Sequence, residues 1–155
     1  MEKDVDEVIT KYKELIYRIA YINLKIIADA EDVTQDVLEK YVKNTKKFKD
    51  KEHERNWLIR VTLNQCKNLS KSAWKRYTVP IDENLCLKLQ TEEQEDIFED
   101  LDYLEEKYKQ VVQLFYYEDL SIATISKILN ISEANVRTRL KRAKEKIKIR
   151  KERYF

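Results

Sequence analysis

The chain has 155 residues, 31 of them Lys or Arg and 29 Asp or Glu, so a net charge of +2 stands in a sequence that is 39% charged, against about 25% for an ordinary soluble domain. Gly is absent and Pro occurs once, which excludes a phosphate-cradling Gly-rich loop, a dinucleotide fingerprint and Asn-Gly or Asp-Gly hairpins. What remains is an all-α protein of one medium or two small domains, its helices started by Ser, Asp and Asn caps and each of its turns made by Asn, Asp or Ser.

In residues 4–21, Val5, Val8, Ile9, Tyr12, Leu15, Ile16 and Ile19 recur at spacings of three and four, the apolar stripe of an amphipathic helix. A second helix is predicted to start at Asp29 as its cap. Glu31 and Asp32 sit at the positive end of its dipole, and Ala30, Val33, Val37, Leu38 and Tyr41 form its stripe. Residues 44–53 are polar and Lys-rich and read as a loop. A third helix is predicted over 54–72, with Trp57, Leu58, Val61 and Leu69 inward and Arg55, Arg60, Lys67 and Lys71 elsewhere. These helices suffice for one small domain over 1–76.

Pro80 then breaks the pattern, and 77–95 reads as a linker with a short helical piece at 85–89. A second domain spans 96–155. Its first helix is predicted to run from about 95 through 117, with Tyr108, Val111, Val112 and Phe115 inward. Ser121 can cap a short helix carrying Ile122, Ile125, Ile128 and Leu129. The turn Asn130-Ile131-Ser132 follows, with Asn130 suited to the left-handed conformation. Ser132 caps a longer helix with Val136, Leu140, Ala143 and Ile147 at spacings of 4, 3 and 4. This is a helix-turn-helix pattern. Arg137, Arg139, Lys141, Arg142, Lys144, Lys146 and Lys148 make its second helix basic, as a helix in a major groove requires. A plain helical hairpin with a solvated basic face is the simpler alternative.

The small net charge hides a strong segregation. Residues 1–38 carry −4, 39–78 carry +8, 79–106 carry −10, 107–136 balance, and 137–155 carry +8. Two separate basic segments suggest two contacts with a polyanion. No apolar run nears the ~20 residues of a membrane span, and no membrane insertion is expected. The acidic first residues do not read as a signal peptide. Cys66 and Cys86 are far apart and His53 is the one His, so no metal, cofactor or catalytic centre is expected. Two reduced thiols in a cytoplasmic protein fit that reading.

Two separated blocks carry a resemblance. The first is DAEDVTQDVLEK at 29–40 with WLIRVTLNQCKN at 57–68. The second is LEEKYK at 104–109, YEDLSIATIS at 117–126 and ISEANVRTRLKRAK at 131–144. In order and spacing they resemble regions 2 and 4 of the bacterial sigma-70 family, in its extracytoplasmic-function class. The resemblance implies a sigma factor that brings core RNA polymerase to promoter DNA, recognises −35 and −10 elements and promotes melting. The alternative is a conventional helix-turn-helix regulator that is no polymerase subunit.

The resemblance also implies residue roles. Asp32, Gln35, Asp36 and Glu39 fall where the family docks on the β′ clamp helices, and the β flap is implied as a further polymerase contact. Independently, these four share one polar helix face opposite Val33 and Val37. Asn64 falls on the family's base-pocket Asn, with Arg60, Lys67 and Lys71 placed for phosphates and Trp74 for stacking around the melted −10 element. The loop at 48–53 is expected to close over a flipped base. The −35 contacts fall on Arg137, Thr138, Lys141 and Arg142, with Arg139 and Lys144 on phosphates and the helix start at Ser132 adding a backbone contact. The acidic run 82–106 falls in a segment that passes through the polymerase RNA exit path in the family. An anti-sigma factor is implied as regulator. Three positions depart from the family pattern: Glu105 stands where Pro is usual, Ala134 where Gly is common, and Ser126 where Ala packs between the helices.

Overall fold

The computed structural model describes residues 2–44, 47–73, 101 and 104–154, with the side chains of 2–5, 8, 70–73 and 149–154 outside that description. The described elements are helical, as the all-α reading expects. They belong to two compact units, Met1–Asn84 and Leu85–Phe155. The expected linker at 77–95, its helical piece at 85–89 and most of the acidic run lie outside the described residues.

The first unit holds α1 (Glu2–Leu24), α2 (Ile27–Lys43) and α3 (Lys51–Ala73). All three pack on one another. Only two residues separate the end of α1 from the start of α2, and Tyr12, midway along α1, meets Tyr41 near the end of α2, so these helices run antiparallel. Tyr41 of α2 reaches Glu54 near the start of α3, while Asp36, earlier on α2, reaches Gln65 farther along α3, so this pair is antiparallel too. Ile16, Ile19, Tyr21, Ile22, Val33, Val37, Leu58 and Ile59 form the core, each under 3% exposed. Each such aliphatic side chain contributes about 1.5–3 kcal/mol on burial. Buried Thr34 and Thr62 donate their hydroxyls to Ala30 and Leu58 carbonyls one turn back, so neither leaves a polar group unmet. Of the residues expected inward on α3, Leu58 is buried while Trp57, Val61 and Leu69 are half-buried.

Two helix starts and one turn differ from the sequence reading. Asp29 does not cap α2. The cap position is Ile26, in extended conformation and without a side-chain hydrogen bond, and Asp29 lies in the first turn. The chain is aimed into α2 by Lys25, left-handed at φ 59°, so one turn of this glycine-free chain rests on Lys rather than on Asn, Asp or Ser. Finally, α3 begins at Lys51, not Glu54, because Asp50 caps it: its Oδ1 accepts from His53 N at 2.7 Å.

In the second unit, α4 (Glu106–Val112) passes into one π-helical turn (Gln113–Tyr117), followed by α5 (Ile122–Leu129) and α6 (Glu133–Tyr154). Both α4 and α5 pack on α6. The expected continuous helix over 95–117 is interrupted: Leu104 and Glu105 are not helical, and Glu105 caps α4 with φ −60° and ψ 152°. That φ is the one Pro imposes, so the backbone at Glu105 suits the family's usual Pro. The π turn re-aims the side chains after Val112. Gln113 and Leu114 become fully buried, while Phe115, expected inward, is half-buried. Asp119 at φ 55° ends this turn, with Leu120 N donating to Leu114 O.

Candidate functional site

Two surfaces gather the residues that the sequence singles out. On α2, Asp32, Gln35, Asp36 and Glu39 are all exposed, opposite buried Ala30, Val33 and Val37. The face is not uniformly acidic. Glu39 pairs with Lys43 at 3.1 Å. Asp36 accepts from Gln65 Nε2 at 3.2 Å, and Gln65 Oε1 accepts from Lys40 Nζ at 2.8 Å. Gln65 thus ties this face to α3. Val42, three residues beyond Glu39 on the same face, is 67% exposed. Sequence reasoning missed both, since neither Gln65 nor Val42 differs from an ordinary helix residue until α2 and α3 are docked.

On α3, Arg60, Asn64 and Lys67 are exposed at i, i+4 and i+7 and share a face. Lys71 continues that register on the backbone, its side chain lying outside the description, and Trp74 falls outside the described residues. The expected loop residues 51–53 belong to α3. The remaining loop is anchored by rings: Phe48 stacks on Tyr41 (6.2 Å, 14°), tilts against Trp57 (5.5 Å) and meets His53 edge-on (5.5 Å). Lys49 N donates to His53 Nδ1 at 3.1 Å.

Behind the loop, Glu54 bridges two tyrosines. Tyr12 OH donates to Oε1 at 2.7 Å and Tyr41 OH to Oε2 at 2.8 Å. Burial, then the Glu54 hydrogen bond and charge, push the Tyr41 phenol up to about 12 and the Tyr12 phenol higher still. Both therefore stay protonated donors at any physiological pH.

The helix-turn-helix forms as its caps predict. Ser121 Oγ accepts from Thr124 N at 3.1 Å, Ser132 Oγ from Asn135 N at 3.0 Å, and Asn130 is left-handed at φ 56° and ψ 48°. Ile131 N donates to Ser126 O, the long-range bond of a Schellman ending. The Ser126 hydroxyl donates to Ile131 O, a bond Ala could not make, so this departure from the family pattern adds a tie across the turn. Val136, Leu140 and Ala143 seat α6 on the unit's core.

The outer face of α6 exposes Arg137, Thr138, Lys141, Arg142 and Lys144. Thr138 gives its hydroxyl to Ala134 O, which leaves its methyl as the group to offer. Arg139 is half-buried and donates Nε to Asn135 Oδ1 at 3.2 Å. Lys144 lies 5.6 Å from the Tyr116 ring centre. Lys146 lies 4.6 Å from that of Tyr108 and 3.5 Å from Glu105. These lysines therefore also hold α6 to the helix before the motif. Among the described residues, no group of three or more His, Cys, Asp or Glu is placed to hold a metal ion, and no helix is long and apolar enough to cross a membrane.

Comparison with known proteins bears on both units. Residues 8–76 match the family described as Sigma-70 region 2, and residues 95–147 match Sigma-70, region 4. Among curated proteins, the chain is 27% identical over 145 residues to RNA polymerase sigma factor SigV of Bacillus subtilis, covering 91% of this chain and 87% of that one. It is 25% identical over 164 residues to ECF RNA polymerase sigma factor SigW of the same organism, covering 92% and 86%. Among solved structures, it shares its fold with sigma factor RpoE of Bartonella quintana, solved in complex with the anti-sigma factor NepR. The TM-score is 0.68 at 15% identity, over 94% of each chain.

Proposed function

The chain is a sigma factor of the extracytoplasmic-function type within the sigma-70 family, and from that premise we propose how its two units divide the work. The observation that carries the reading is the order of the matches, region 2 over 8–76 and region 4 over 95–147 in one chain. Residues 1–76 act as region 2, 77–95 as linker and 96–155 as region 4. The exposed face of Asp32, Gln35, Asp36 and Glu39 docks on the β′ clamp helices of core RNA polymerase, and region 4 meets the β flap. Arg60, Asn64, Lys67, Lys71 and Trp74 take up the melted −10 strand, with Asn64 on a base edge and the cations on phosphates. Arg137, Thr138, Lys141 and Arg142 read the −35 element in the major groove. Arg139 and the helix start at Ser132 hold phosphates.

Two contacts within the second unit support particular roles. Thr138 meets a thymine through its methyl, its hydroxyl being engaged within the helix. Lys144 leans on Tyr116 and reaches a phosphate from a preset position. The chain works in the cytoplasm with the polymerase, carries no catalytic centre or cofactor of its own, and is held in check by an anti-sigma factor. The test is run-off transcription. With bacterial core polymerase the full chain directs initiation at selected promoters, while alone it binds the same duplex weakly. Tight, specific duplex binding without core polymerase would favour the conventional regulator instead.

A further inference from the structure

The loop at 47–50 reaches the body of its unit through few described contacts. Phe48 packs among Tyr41, His53 and Trp57. Lys49 and Asp50 bond to His53 in the first turn of α3. Of the three rings that hold Phe48, two stand on α3, directly after the loop. Tyr41 alone stands on α2, and its hydroxyl is fixed by Glu54 at 2.8 Å. The same carboxylate takes Tyr12 from α1 at 2.7 Å. One acid thus joins all three helices at the point where the loop leaves them.

Holding three helices together does not require an acid. Apolar side chains in place of all three, Glu54, Tyr12 and Tyr41, would serve stability as well, without desolvating a charge. What two charge-assisted hydrogen bonds add is direction: each phenol must aim at one oxygen, which sets where its ring lies. The Tyr41 ring is the platform on which Phe48 stacks. We propose that Glu54 is a positioning residue for base selection: through Tyr41 and Phe48 it fixes the loop at 47–50 in the geometry that discriminates bases of the melted strand. This rests on the reading of the chain as a sigma factor whose loop before α3 meets the −10 element.

The experiment uses the full chain with bacterial core polymerase on a promoter library randomised through the −10 element, with transcripts sequenced and base preference read at each position. Thermal unfolding of each variant runs alongside. In Glu54→Gln and Tyr41→Phe, preference at the loop-read position falls by about three- to tenfold, the worth of one hydrogen bond. Preferences in the −35 element stay as they are. Tyr41→Phe keeps the ring and the fold, so the readout survives even if Glu54→Gln is unstable. The exposed loop residue Lys49 provides the reference: Lys49→Ala shifts preference at the same position. If Lys49→Ala shifts it while both bridge variants leave it unchanged, the bridge is only structural and the proposal is overturned. If Lys49→Ala changes no preference, the loop does not read the element, and the reading beneath the proposal fails with it.

Discussion

Two short connections carry the proposed DNA-facing surfaces: 130–132 between α5 and α6, and 44–50 between α2 and α3. The first is held almost entirely by its neighbours in sequence. Ser121, Ser126, Asn130 and Ser132 supply its caps and its left-handed residue, with hydrogen-bond partners three to five residues away. Among the described residues of the second, Lys49 and Asp50 bond locally to His53, while Phe48 also rests on Tyr41 of α2, whose hydroxyl Glu54 holds from 13 residues on, together with that of Tyr12 from 42. A locally held turn keeps its shape wherever its helices go. A tertiary bridge keeps a loop in place only while three helices stay docked, so its loss should be felt across the whole unit.

The largest expected effect therefore falls on the bridge. Glu54→Ala leaves two phenol hydroxyls without their acceptor, at about 1–3 kcal/mol for each one left unmet. We expect a loss of about 2–4 kcal/mol in urea unfolding of the full chain, with faster amide exchange in α1–α3. A loss under 0.5 kcal/mol would show that solvent replaces the carboxylate and that the two connections are held alike. The bridge also has an alkaline signature. Both phenols titrate above their unfolded value near 10, Tyr41 at about 12. Their contribution is complete below pH 10 and is lost as the pH rises toward 12, because the unfolded phenols release protons first. The double variant Tyr12→Phe, Tyr41→Phe should thus lose stability less steeply than the parent between pH 9 and 11. Equal slopes would remove the two tyrosines from the account.

On the other unit, the question is which α6 side chains are free to specify. Arg142 is exposed, whereas Arg139 is tied to Asn135. Arg142→Ala should cost about 1–3 kcal/mol at one −35 position and relax the preference there, while Arg139→Ala weakens all sequences alike. A uniform loss for Arg142→Ala, measured on −35 variants with holoenzyme, would make it a phosphate contact. The local counterpart to the Glu54 test is smaller. Ser132→Ala removes one cap bond and should cost about 1 kcal/mol, with amide exchange rising at the start of α6 only. Exchange spreading through the whole unit would mean that the turn, too, is held by tertiary contacts.

This contrast explains what was legible in the sequence. Ser121, Asn130 and Ser132 announce the helix-turn-helix because cap and turn chemistry is written within a few residues, and the structure keeps all three roles. The exposed faces of α2, α3 and α6 follow from helical period alone. Glu54 could not be read, because a lone acid near the start of a helix looks like any other until Tyr12 and Tyr41 are brought to it. The π turn escaped for a related reason: the spacing of Tyr108, Val111, Val112 and Phe115 fits a continuous α-helix, and only packing selects burial of Gln113 and Leu114 instead. Asp50 was a readable cap, but the Lys-rich stretch around it masked the signal.

Lys25 is the position where the composition itself is put to the test. In a chain without glycine, three of the described residues hold left-handed backbone, Lys25, Asp119 and Asn130. Asn and Asp tolerate this conformation because their short polar side chains bond locally, whereas Lys carries the full steric penalty of about 1–2 kcal/mol. Gly would remove that penalty at about 0.5–1 kcal/mol of added unfolded-state entropy. Lys25→Gly should therefore raise the stability of the first unit by roughly 0.5–1 kcal/mol, read as a higher urea midpoint. Asn130→Gly, where Asn already suits the turn, should gain nothing. If Lys25→Gly destabilises, the Lys25 side chain contributes more than its backbone costs. The α1–α2 turn would then join the Glu54 bridge as a connection held by tertiary contacts rather than by its own residues.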